Sequence, residues 1–489
     1  MNIYNMIESI SESRQANNIA YVYQGMRSTY HDLILQTNYF AKELINRNIK
    51  KDDKVAILLG NSPEFIQAYL AVLKLGAIAV PLNPAFTETE LIYILNDANV
   101  KLVISKEEQQ DKLFSVKSSC PKCEHVIAID RLNQRKICTD SYNSPDFSEN
   151  DPAVILYTSG TTGNPKGAII THRNLIENVK DFSSMIELHE SDKMIAVLPM
   201  FHSFCLTICV NMILLNGATT IIVPKFTPAE LVNIIKNEKA TLIAAVPTVY
   251  NYLHQLSNVS AKDFTSLRAC ISGGSSIPLE LLQSLQEKLQ LNILEGYGLS
   301  ETSPVLTFNP YGGLCKPGSV GIDLPSVETK IFNETGEEVL VGELGEVVAK
   351  GPNVMKSYFN KIEETEKAFT NGWFKTGDLG KKDEDGYLFL LDRKKDVIIT
   401  NGYNVYPREI EEQLYKHPNI TEAAVVGKPD LLVGENVCAY IVVNQNVKEE
   451  DIKSFCHKFL IHYKVPKQIY FVDELPKNST GKILKRNLR

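Results

Sequence analysis

Short apolar runs alternate with amphipathic segments through the first third of the chain. Three of these runs predict buried strands, because a strand covered on both faces carries no polar alternation: 55–59, 77–80 and 102–104. Between them, Ser62 and Pro63 predict the cap and first turn of one helix, and Thr87 with Glu90 predicts a capping box for another. Strands that alternate with helices favour a parallel, doubly wound sheet, and the same pattern returns over 198–274. The fold class predicted is α/β, with two such sheets.

The stretch from 194 to 224 is unusual because it contains no Lys, Arg, Asp or Glu. An apolar run of about 20 residues can span a bilayer. This stretch, however, includes Pro199, His202, Ser203 and Asn211, and polar groups are costly in lipid. We therefore predict a strand, a loop, a helix and a strand inside a large soluble core, and no transmembrane segment.

Beyond about residue 313 the pattern changes to short strands separated by Gly, Asn and acidic turns. This texture is typical of antiparallel sheet, and we expect a distorted β-barrel there. After Asp392 the remaining residues read as a compact α+β unit, with strands at 424–426 and 439–443 and a helix stopped before Pro466. The predicted domains are a large N-terminal domain, 1–391, and a small C-terminal domain, 392–489.

Composition and charge narrow the class of protein. The chain has 489 residues, 44% hydrophobic and 22% charged, as expected of a globular protein with a large core. Its 51 basic and 58 acidic side chains leave a net charge of -7, which disfavours nucleic acid as a partner. Nine cysteines are too few for a disulfide scaffold, and the first residues lack the layout of a signal peptide. We expect a cytoplasmic protein.

The strongest chemical signal is the loop at 157–167, Tyr-Thr-Ser-Gly-Thr-Thr-Gly-Asn-Pro-Lys-Gly, which follows an apolar strand. Glycines let backbone N–H groups approach a phosphate, hydroxyls add donors, and a lysine adds charge. The loop is not a Walker A motif, because Pro165 precedes Lys166 and Gly167 follows it. It predicts a phosphate-binding loop of another kind.

This loop resembles the signature of the adenylate-forming superfamily, which includes acyl-CoA synthetases, peptide-synthetase adenylation domains and firefly-type luciferases. Further family motifs follow in the family's order along nearly the whole chain: Pro199-Met200-Phe201-His202, Ser272-Gly273-Gly274, 295–302, 375–378, 392–396, 402–411 and 476–482. The resemblance implies that the small C-terminal domain is mobile and swings about Asp392 between two half-reactions.

The resemblance also implies a nucleotide pocket. The residues expected to bind ATP are Thr158, Ser159, Gly160, Thr161, Thr162, Gly163, Lys166, Gly273, Gly274, Glu295, Gly296, Tyr297, Gly298, Thr302, Asp378 and Arg393. Within this set, Tyr297 and the backbone of the two glycines at 273–274 would enclose the adenine. Asp378 and Arg393 would hold the ribose, and Thr302 would lie near the α-phosphate.

Chemistry at the α-phosphate is mostly charge neutralisation and alignment. Lys482 resembles the family lysine that bridges the carboxylate and the α-phosphate, and it is expected to be catalytic together with Thr302 and His202. His202 would contact the substrate carboxylate or gate its pocket. Glu301 resembles the acid that coordinates Mg²⁺, with Thr158 as a second ligand, and Mg²⁺ needs only one or two protein ligands beside phosphate.

Three residues are expected to contact coenzyme A. By resemblance, Gly402 would line the pantetheine channel, where the absence of a Cβ allows close passage, with Tyr403 beside it. Lys395 would help hold the CoA phosphates, although a solvated charged turn is the alternative. The family often has two glycines before this tyrosine, but Asn401 takes the first place here.

The acid is expected to be a hydrocarbon chain. The segments 200–215 and 244–250 contain no Asp or Glu to hold an amino-acid ammonium group, and no carrier domain follows Lys482 before Arg489. An apolar pocket gains about 0.8 kcal/mol per buried CH₂. The predicted acyl-pocket residues are Phe201, Phe204, Val246 and Pro247.

We therefore predict an ATP- and Mg²⁺-dependent enzyme that activates a medium- to long-chain fatty acid to acyl-AMP and transfers it to coenzyme A. The alternative within the family is an aryl-acid or o-succinylbenzoate CoA ligase. Two alternatives belong to other functional classes: a luciferase-like oxidative enzyme and a non-catalytic binding protein. Peripheral contact with a membrane and a homodimer are both left open.

Overall fold

The computed structural model of the chain describes residues 2–13, 15–131, 145–158, 164–479 and 481–489. The phosphate-loop residues Ser159, Gly160, Thr161, Thr162 and Gly163 lie outside the described residues, and their roles stay predictions. The α-helices in the described ranges are α1 (Ile3–Ser11), α2 (Tyr30–Ile45), α3 (Pro63–Lys74), α4 (Glu88–Asp97), α5 (Gln110–Ser118), α6 (His172–Met185), α7 (Met212–Leu215), α8 (Pro228–Glu238), α9 (Pro247–Gln255), α10 (Leu279–Leu289), α11 (Ile362–Ala368), α12 (Pro407–Tyr415) and α13 (Glu449–Cys456).

The strands in the same ranges are β1 (Ile19–Tyr23), β2 (Met26–Thr29), β3 (Lys54–Leu58), β4 (Ile78–Pro81), β5 (Val100–Ser105), β6 (His125–Ala128), β7 (Pro152–Thr158), β8 (Lys166–Thr171), β9 (Lys193–Ala196), β10 (Thr219–Ile222), β11 (Leu242–Ala245), β12 (Ala269–Ser272), β13 (Ile293–Gly298), β14 (Val305–Phe308), β15 (Ile322–Asp323), β16 (Glu328–Phe332), β17 (Gly345–Lys350), β18 (Ser357–Tyr358), β19 (Phe369–Thr370), β20 (Trp373–Lys382), β21 (Leu388–Arg393), β22 (Ile398–Thr400), β23 (Tyr403–Val405), β24 (Ile420–Asp430), β25 (Gly434–Val443) and β26 (Gln468–Phe471).

Two large, mostly parallel sheets form the body of the molecule. One has seven strands in the order β18-β8-β7-β4-β3-β5-β6, and the other has nine in the order β15-β14-β13-β12-β11-β9-β10-β1-β2. In the first sheet, the neighbouring strands of the run β7-β4-β3-β5-β6 are parallel, and in the second sheet those of the run β13-β12-β11-β9-β10-β1 are parallel. The outer strands pair with their neighbours in antiparallel fashion: β8, β18, β14, β15 and β2. The predicted α/β class is confirmed.

Helix α3 shows why the two sheets stay together. Eleven of its twelve residues are buried, so the helix is covered around its whole circumference. Ser62 caps its first turn by accepting the N–H of Phe65, as predicted. Side chains from both sheets, such as Ile57 and Ile195, belong to the same hydrophobic cluster as Phe65. The helix therefore lies inside one continuous core.

The capping box predicted from Thr87 and Glu90 is present at the start of α4.

The stretch without charged residues, 194–224, also has the predicted structure. It forms β9, a loop, a π-helix at Cys205–Asn211 that continues into α7, and β10, and the residues of the π-helix are buried. Within the described ranges, no helix is both long and apolar enough to cross a bilayer.

The last two sheets are mostly antiparallel, and the described pair β25 and β26 is parallel. A five-stranded sheet, β16-β17-β20-β19 with β21 paired to β20, occupies the region where the texture predicts barrel-like structure. The C-terminal sheet, β23-β22-β25-β24 with β26 paired to β25, has its own hydrophobic cluster, which includes Ile410, Val425 and Ile452. The division at 391/392 stays a prediction, and β21 continues through it to Arg393.

Candidate active site

One cleft of about 2020 Å³ lies between the large sheets and the C-terminal unit. Its walls come from the loops that follow β12 and β13, from the middle of β20, from the end of β21 and from the chain after β26. The predicted site residues that line it are Thr158, Lys166, Phe201, His202, Phe204, Val246, Pro247, Gly273, Gly274, Gly296, Tyr297, Gly298, Glu301, Asp378, Arg393, Lys395 and Lys482. Thr158 and Lys482, which are 324 positions apart in the sequence, thus line the same cleft.

Lys482 enters this cleft on a tight turn. The Asn478 side chain accepts the Lys482 N–H at 2.9 Å, and the Asn478 N–H bonds the Lys482 carbonyl at 2.9 Å. Burial lowers the pKa of Lys482 to about 8, and the nearby guanidinium of Arg393 adds to this shift. The carboxylate of Asp378 opposes it. A lysine with this pKa is mostly charged at neutral pH and loses its proton as the pH rises through about 8.

Two contacts hold the turn that carries Lys482. From the first turn of α9, the hydroxyl of Thr248 donates to the carbonyl of Gly481 at 3.0 Å. From the C-terminal unit, Lys485 pairs with Glu411 at 2.8 Å, and Glu411 also accepts the N–H of Val425 at 2.7 Å. The Thr248 contact is the one that ties the turn to the opposite wall of the cleft.

Replacing Thr248 with valine is expected to slow adenylate formation. Valine has the same shape but lacks the hydroxyl, and losing one hydrogen bond should lower the rate about 3- to 10-fold. Thr248→Ser, which keeps the donor, should stay close to the parent. Pyrophosphate release measures the effect, and thioester formation from supplied acyl-AMP is the control. An equal loss in both reactions would show that Thr248 does not act through the lysine turn.

His202 lies at the start of the buried segment after β9. Burial lowers the pKa of His202 to about 4, and the neighbouring Lys482 ammonium contributes to the shift. The ring is therefore neutral at physiological pH. Its Nδ1 accepts the N–H of Phe204 at 3.3 Å, so the neutral ring carries its proton on Nε2. His202 can donate a hydrogen bond without adding a second positive charge next to Lys482.

The predicted ribose contacts come together on β13, β20 and β21. Tyr297 donates its hydroxyl to Asp378 at 2.6 Å, and Arg393 Nε lies 3.3 Å from the other oxygen of the same carboxylate. Burial beside that negative charge raises the pKa of Tyr297. Asp378 is only 7% exposed, and Tyr297 and Arg393 each contact one of its carboxylate oxygens. The two contacts fix the orientation of the carboxylate. Such a carboxylate is a suitable acceptor for ribose hydroxyls.

The two glycines after β12 leave room for a flat ligand. A Cβ on Gly273 would lie 3.2 Å from the ring of Phe204, which is tighter than normal contact. Gly274 has a φ of +79°, a conformation that favours glycine. Both residues line the same cleft as Tyr297. A side chain at Gly273 would crowd Phe204, which also lines the cleft, so the position favours glycine. Their contact with adenine stays a prediction.

Glu301 is one of the acidic groups that line the cleft. One of its carboxylate oxygens accepts the hydroxyl of Tyr358 at 3.0 Å and the hydroxyl of Thr158 at 3.4 Å. Carboxylate and hydroxyl oxygens are hard donors of the kind Mg²⁺ takes, and Mg²⁺ also keeps water and phosphate ligands. The donor set therefore fits this ion. Lys166, on the same hairpin as Thr158, is paired with Glu364.

Of the predicted site residues that the structure describes, four do not line the cleft: Thr302, Glu295, Gly402 and Tyr403. Thr302 is fully buried, and its hydroxyl bonds the backbone carbonyls of Leu299 and Pro304. Its side chain is therefore used to fix the turn after β13, which differs from its expected place at the α-phosphate. Glu295 is buried behind the wall, where it accepts the N–H of Ile277, and burial raises its pKa to about 7. A direct contact of either side chain with the nucleotide remains a prediction that this geometry does not support.

Gly402 and Tyr403, the predicted CoA contacts, lie on the β22–β23 hairpin and not in the cleft. Tyr403 is 56% exposed and stacks on Tyr463 with ring centroids 4.6 Å apart. Lys395 does line the cleft, and burial lowers its pKa. In this arrangement the lysine predicted for the first half-reaction faces the cleft, and the glycine predicted for the second does not.

All four residues predicted for the acyl pocket line the cleft, and their contact with an acid stays a prediction: Phe201, Phe204, Val246 and Pro247. The apolar segment that follows Phe204 does not contribute, because the residues of the π-helix, Cys205–Asn211, are buried in the core. Further apolar lining comes from several elements: Leu156, Phe182, Leu198, Ile271, Val305 and Phe308.

Sequence reasoning missed Tyr358, Thr248 and the pair formed by Glu411 and Lys485. Glu411 ends the family motif at 402–411, and Lys485 lies just after the motif at 476–482. Their opposite charges were the only sign in the sequence that these two segments meet. Thr248 and Gly481 are 233 positions apart, and no local pattern links them.

The family models agree with this geometry. An AMP-binding enzyme model matches residues 10–359, and the model of the AMP-binding enzyme C-terminal domain matches residues 409–482. The chain belongs to the AMP-binding enzyme family. This AMP-binding enzyme is 37% identical to the long-chain-fatty-acid–CoA ligase of Bacillus subtilis, an alignment that covers 98% of the chain and 92% of that protein. The predicted family is confirmed.

Solved structures of the same family superpose closely on this AMP-binding enzyme. ATP-bound MatB from Rhodopseudomonas palustris has a TM-score of 0.93 and 32% identity, and the match covers 100% of the chain and 98% of MatB. The o-succinylbenzoate CoA synthetase MenE from Bacillus subtilis, in complex with ATP and magnesium, has a TM-score of 0.88 and 31% identity, over 99% of each chain. The individual residue roles in this chain stay predictions.

Proposed function

We propose that this AMP-binding enzyme is a ligase that joins a medium- to long-chain fatty acid to coenzyme A, with acyl-AMP as intermediate and AMP and pyrophosphate as products. The observation that carries the proposal is the position of Lys482, whose ammonium lies in one cleft with Asp378, Glu301 and His202. A binding protein would have no need for a buried lysine at this point. The name of the Bacillus subtilis relative supports the choice of acid.

In the first half-reaction the substrate carboxylate attacks the α-phosphorus of ATP, and pyrophosphate leaves. Lys482 would neutralise charge on both reacting groups, and His202 would donate from Nε2 to the carboxylate. Asp378 with Arg393 would hold the ribose and so fix the direction of the α-phosphate. Glu301 and Thr158 would hold Mg²⁺, which neutralises charge on the phosphate oxygens when bound.

In the second half-reaction the CoA sulfur attacks the acyl carbonyl, and AMP leaves. Lys482 is not needed for this step, and we propose that the small domain, 392–489, then turns about Asp392 relative to 1–391. The side chain of Asp392 accepts the N–H groups of Arg393 and Arg408, so it already braces this point of the chain. The turn would bring Gly402 towards the acyl-adenylate.

A hydrocarbon acid is favoured by the apolar lining of the cleft, to which Phe182, Leu198 and Phe308 contribute. The likeness to MenE keeps an aryl acid as the alternative. We also propose a cytoplasmic location, while membrane contact and a homodimer remain predictions.

The substrate class is tested by pyrophosphate release across saturated acids from octanoate to palmitate and several aryl acids, each with and without CoA. Each added CH₂ that is buried should improve kcat/KM about 2- to 4-fold, since its burial gains about 0.8 kcal/mol, until the pocket is filled. Faster turnover of o-succinylbenzoate or benzoate than of every fatty acid would overturn the assignment of the acid. Absence of AMP with all acids would overturn the ligase itself.

A further inference from the structure

The lysine predicted to bind phosphate, Lys166, has a carboxylate partner that stands outside the cleft. Its ammonium is paired with the carboxylate of Glu364, which lies in the first turn of α11. Lys166 lines the cleft, whereas Glu364, itself a described residue, does not. The contact with Lys166 lowers the pKa of Glu364, so this carboxyl group is ionised at neutral pH. The lysine charge is therefore balanced by one negative charge that does not belong to the wall of the cleft.

The backbone holds Glu364 next to this lysine. Strand β18 pairs with β8, the strand that begins with the lysine, and the N–H of Phe359 bonds the carbonyl of Gly167 at 2.7 Å. The hydroxyl of Thr365, on α11, accepts the N–H of Tyr358 at 3.0 Å. Helix α11 is thus tied to β18, and β18 is tied to the strand of the lysine. The ion pair is a fixed neighbourhood of the fold.

The ring of Tyr358 lies on another side of the ammonium. Lys166 Nζ is 5.2 Å from the centroid of this ring, within reach of the attraction between a cation and an aromatic face. The hydroxyl of the same tyrosine donates to Glu301 at 3.0 Å. One aromatic side chain therefore connects the lysine predicted for phosphate with the acid predicted for Mg²⁺, and the pair with Glu364 adjoins this polar group.

The two charges are placed where they can exchange partners. The side chains of Lys166 and Glu364 are 29% and 39% exposed. Ion pairs with this much contact with solvent are weak, so a ligand with several negative charges can displace the carboxylate. An ammonium also has three N–H donors, so phosphate oxygens can reach the lysine before its bond to Glu364 is broken.

We infer that Glu364 is a positioning residue that competes with phosphate for Lys166, and so weakens the binding of both ATP and pyrophosphate. The inference rests on the proposed function, in which pyrophosphate is the first product. A carboxylate and a phosphate carry charge of the same sign, so each makes the lysine less attractive to the other. When pyrophosphate leaves, the lysine regains the carboxylate as its partner. Glu364 therefore favours the release of the first product.

Replacing Glu364 with glutamine in the full-length enzyme tests this role. Glutamine keeps the size of the side chain and removes its charge, so the KM for ATP and the inhibition constant of pyrophosphate should each fall about 2- to 5-fold, as expected for a partly exposed ion pair. The KM for the fatty acid should not change. Both decreases should become smaller at high ionic strength, because salt screens exposed charges. Initial rates of AMP formation, with and without added pyrophosphate, measure these constants.

Glu363→Gln is the matched control. Glu363 is 88% exposed on the same helix, and its ion pair is with Lys367 at 3.8 Å. This variant should leave both constants unchanged. In a Lys166→Met background, Glu364→Gln should also leave both constants unchanged, because the lysine through which it acts is absent. A merely structural role for Glu364 would instead raise both constants together with the KM for the fatty acid.

The inference is overturned if either constant fails to fall in Glu364→Gln, or if both fall by the same factor in the Lys166→Met background. These results leave the proposed function intact, because AMP would still form with a fatty acid. If no acid yields AMP, the proposed function is overturned, and calorimetry with pyrophosphate and Mg²⁺ still tests the inference. Glu364→Gln should then bind pyrophosphate about 2- to 5-fold more tightly than the parent. Equal binding would overturn the inference.

Discussion

Replacing Lys482 with alanine is expected to lower the rate of acyl-adenylate formation by about 10²- to 10³-fold, as seen when one preorganised charge-stabilising donor is removed from a catalytic site. The reason is that Lys482 is the buried ammonium that lies beside Arg393 and Asp378. Pyrophosphate release with ATP, Mg²⁺ and a fatty acid measures this step. Thioester formation from supplied acyl-AMP and CoA should fall less than threefold, because the lysine has no role in it.

The pH dependence of the parent provides a second readout. Lys482 has a pKa lowered to about 8, so its charge is present below that pH and is lost as the pH rises through it. The kcat/KM for adenylate formation should therefore fall above about pH 8. Lys485→Met removes the nearby charge that is paired with Glu411, and it serves as a control for general disruption of the segment after β26. If Lys482→Ala lost both half-reactions equally, the division of roles between them would be wrong.

Replacing Glu301 with glutamine is expected to lower kcat/KM for ATP about 100-fold, since the charge stabilisation supplied by a bound metal ion is worth several kcal/mol. Glutamine keeps the size of the side chain and can still accept from Tyr358 and Thr158, but it lacks the negative charge that attracts Mg²⁺. The concentration of Mg²⁺ needed for half-maximal rate should rise as well. Initial rates over a Mg²⁺ titration at fixed ATP measure both effects.

Tyr358→Phe is the matched control for this variant. It removes the 3.0 Å hydrogen bond to Glu301 and leaves the carboxylate in place. A loss of less than tenfold is expected, because one hydrogen bond contributes about 0.5–1.5 kcal/mol. If Glu301→Gln and Tyr358→Phe lost the same activity and neither changed the Mg²⁺ requirement, Glu301 would be a structural residue.

Local patterns in the sequence predicted the elements whose causes are local. The capping box of Thr87 and Glu90, the cap at Ser62 and the two doubly wound sheets depend on neighbouring residues and on periodicity, and all are present. The family motifs predicted a nucleotide pocket, and most residues named from them line one cleft. Their chemistry in this chain awaits the experiments above.

Side-chain direction could not be predicted in the same way. Thr302 stands within a motif whose neighbours line the cleft, but its hydroxyl caps the short 3₁₀ turn Ser300–Thr302 and faces inwards. The apolar stretch after Phe204 reads equally well as pocket or core. It is core because the π-helix Cys205–Asn211 is covered on all sides by the sheet and by neighbouring helices. Both outcomes depend on tertiary packing.

The continuation of β21 as far as Arg393 has a consequence for the order of events. Asp392, about which the small unit is proposed to turn, and Arg393, which touches Asp378, are adjacent residues of one strand. A rotation of the backbone at Asp392 would therefore displace the guanidinium of Arg393. The contact between Arg393 and Asp378 would then change in the same movement that withdraws the lysine, so the ribose would be held differently in the two half-reactions.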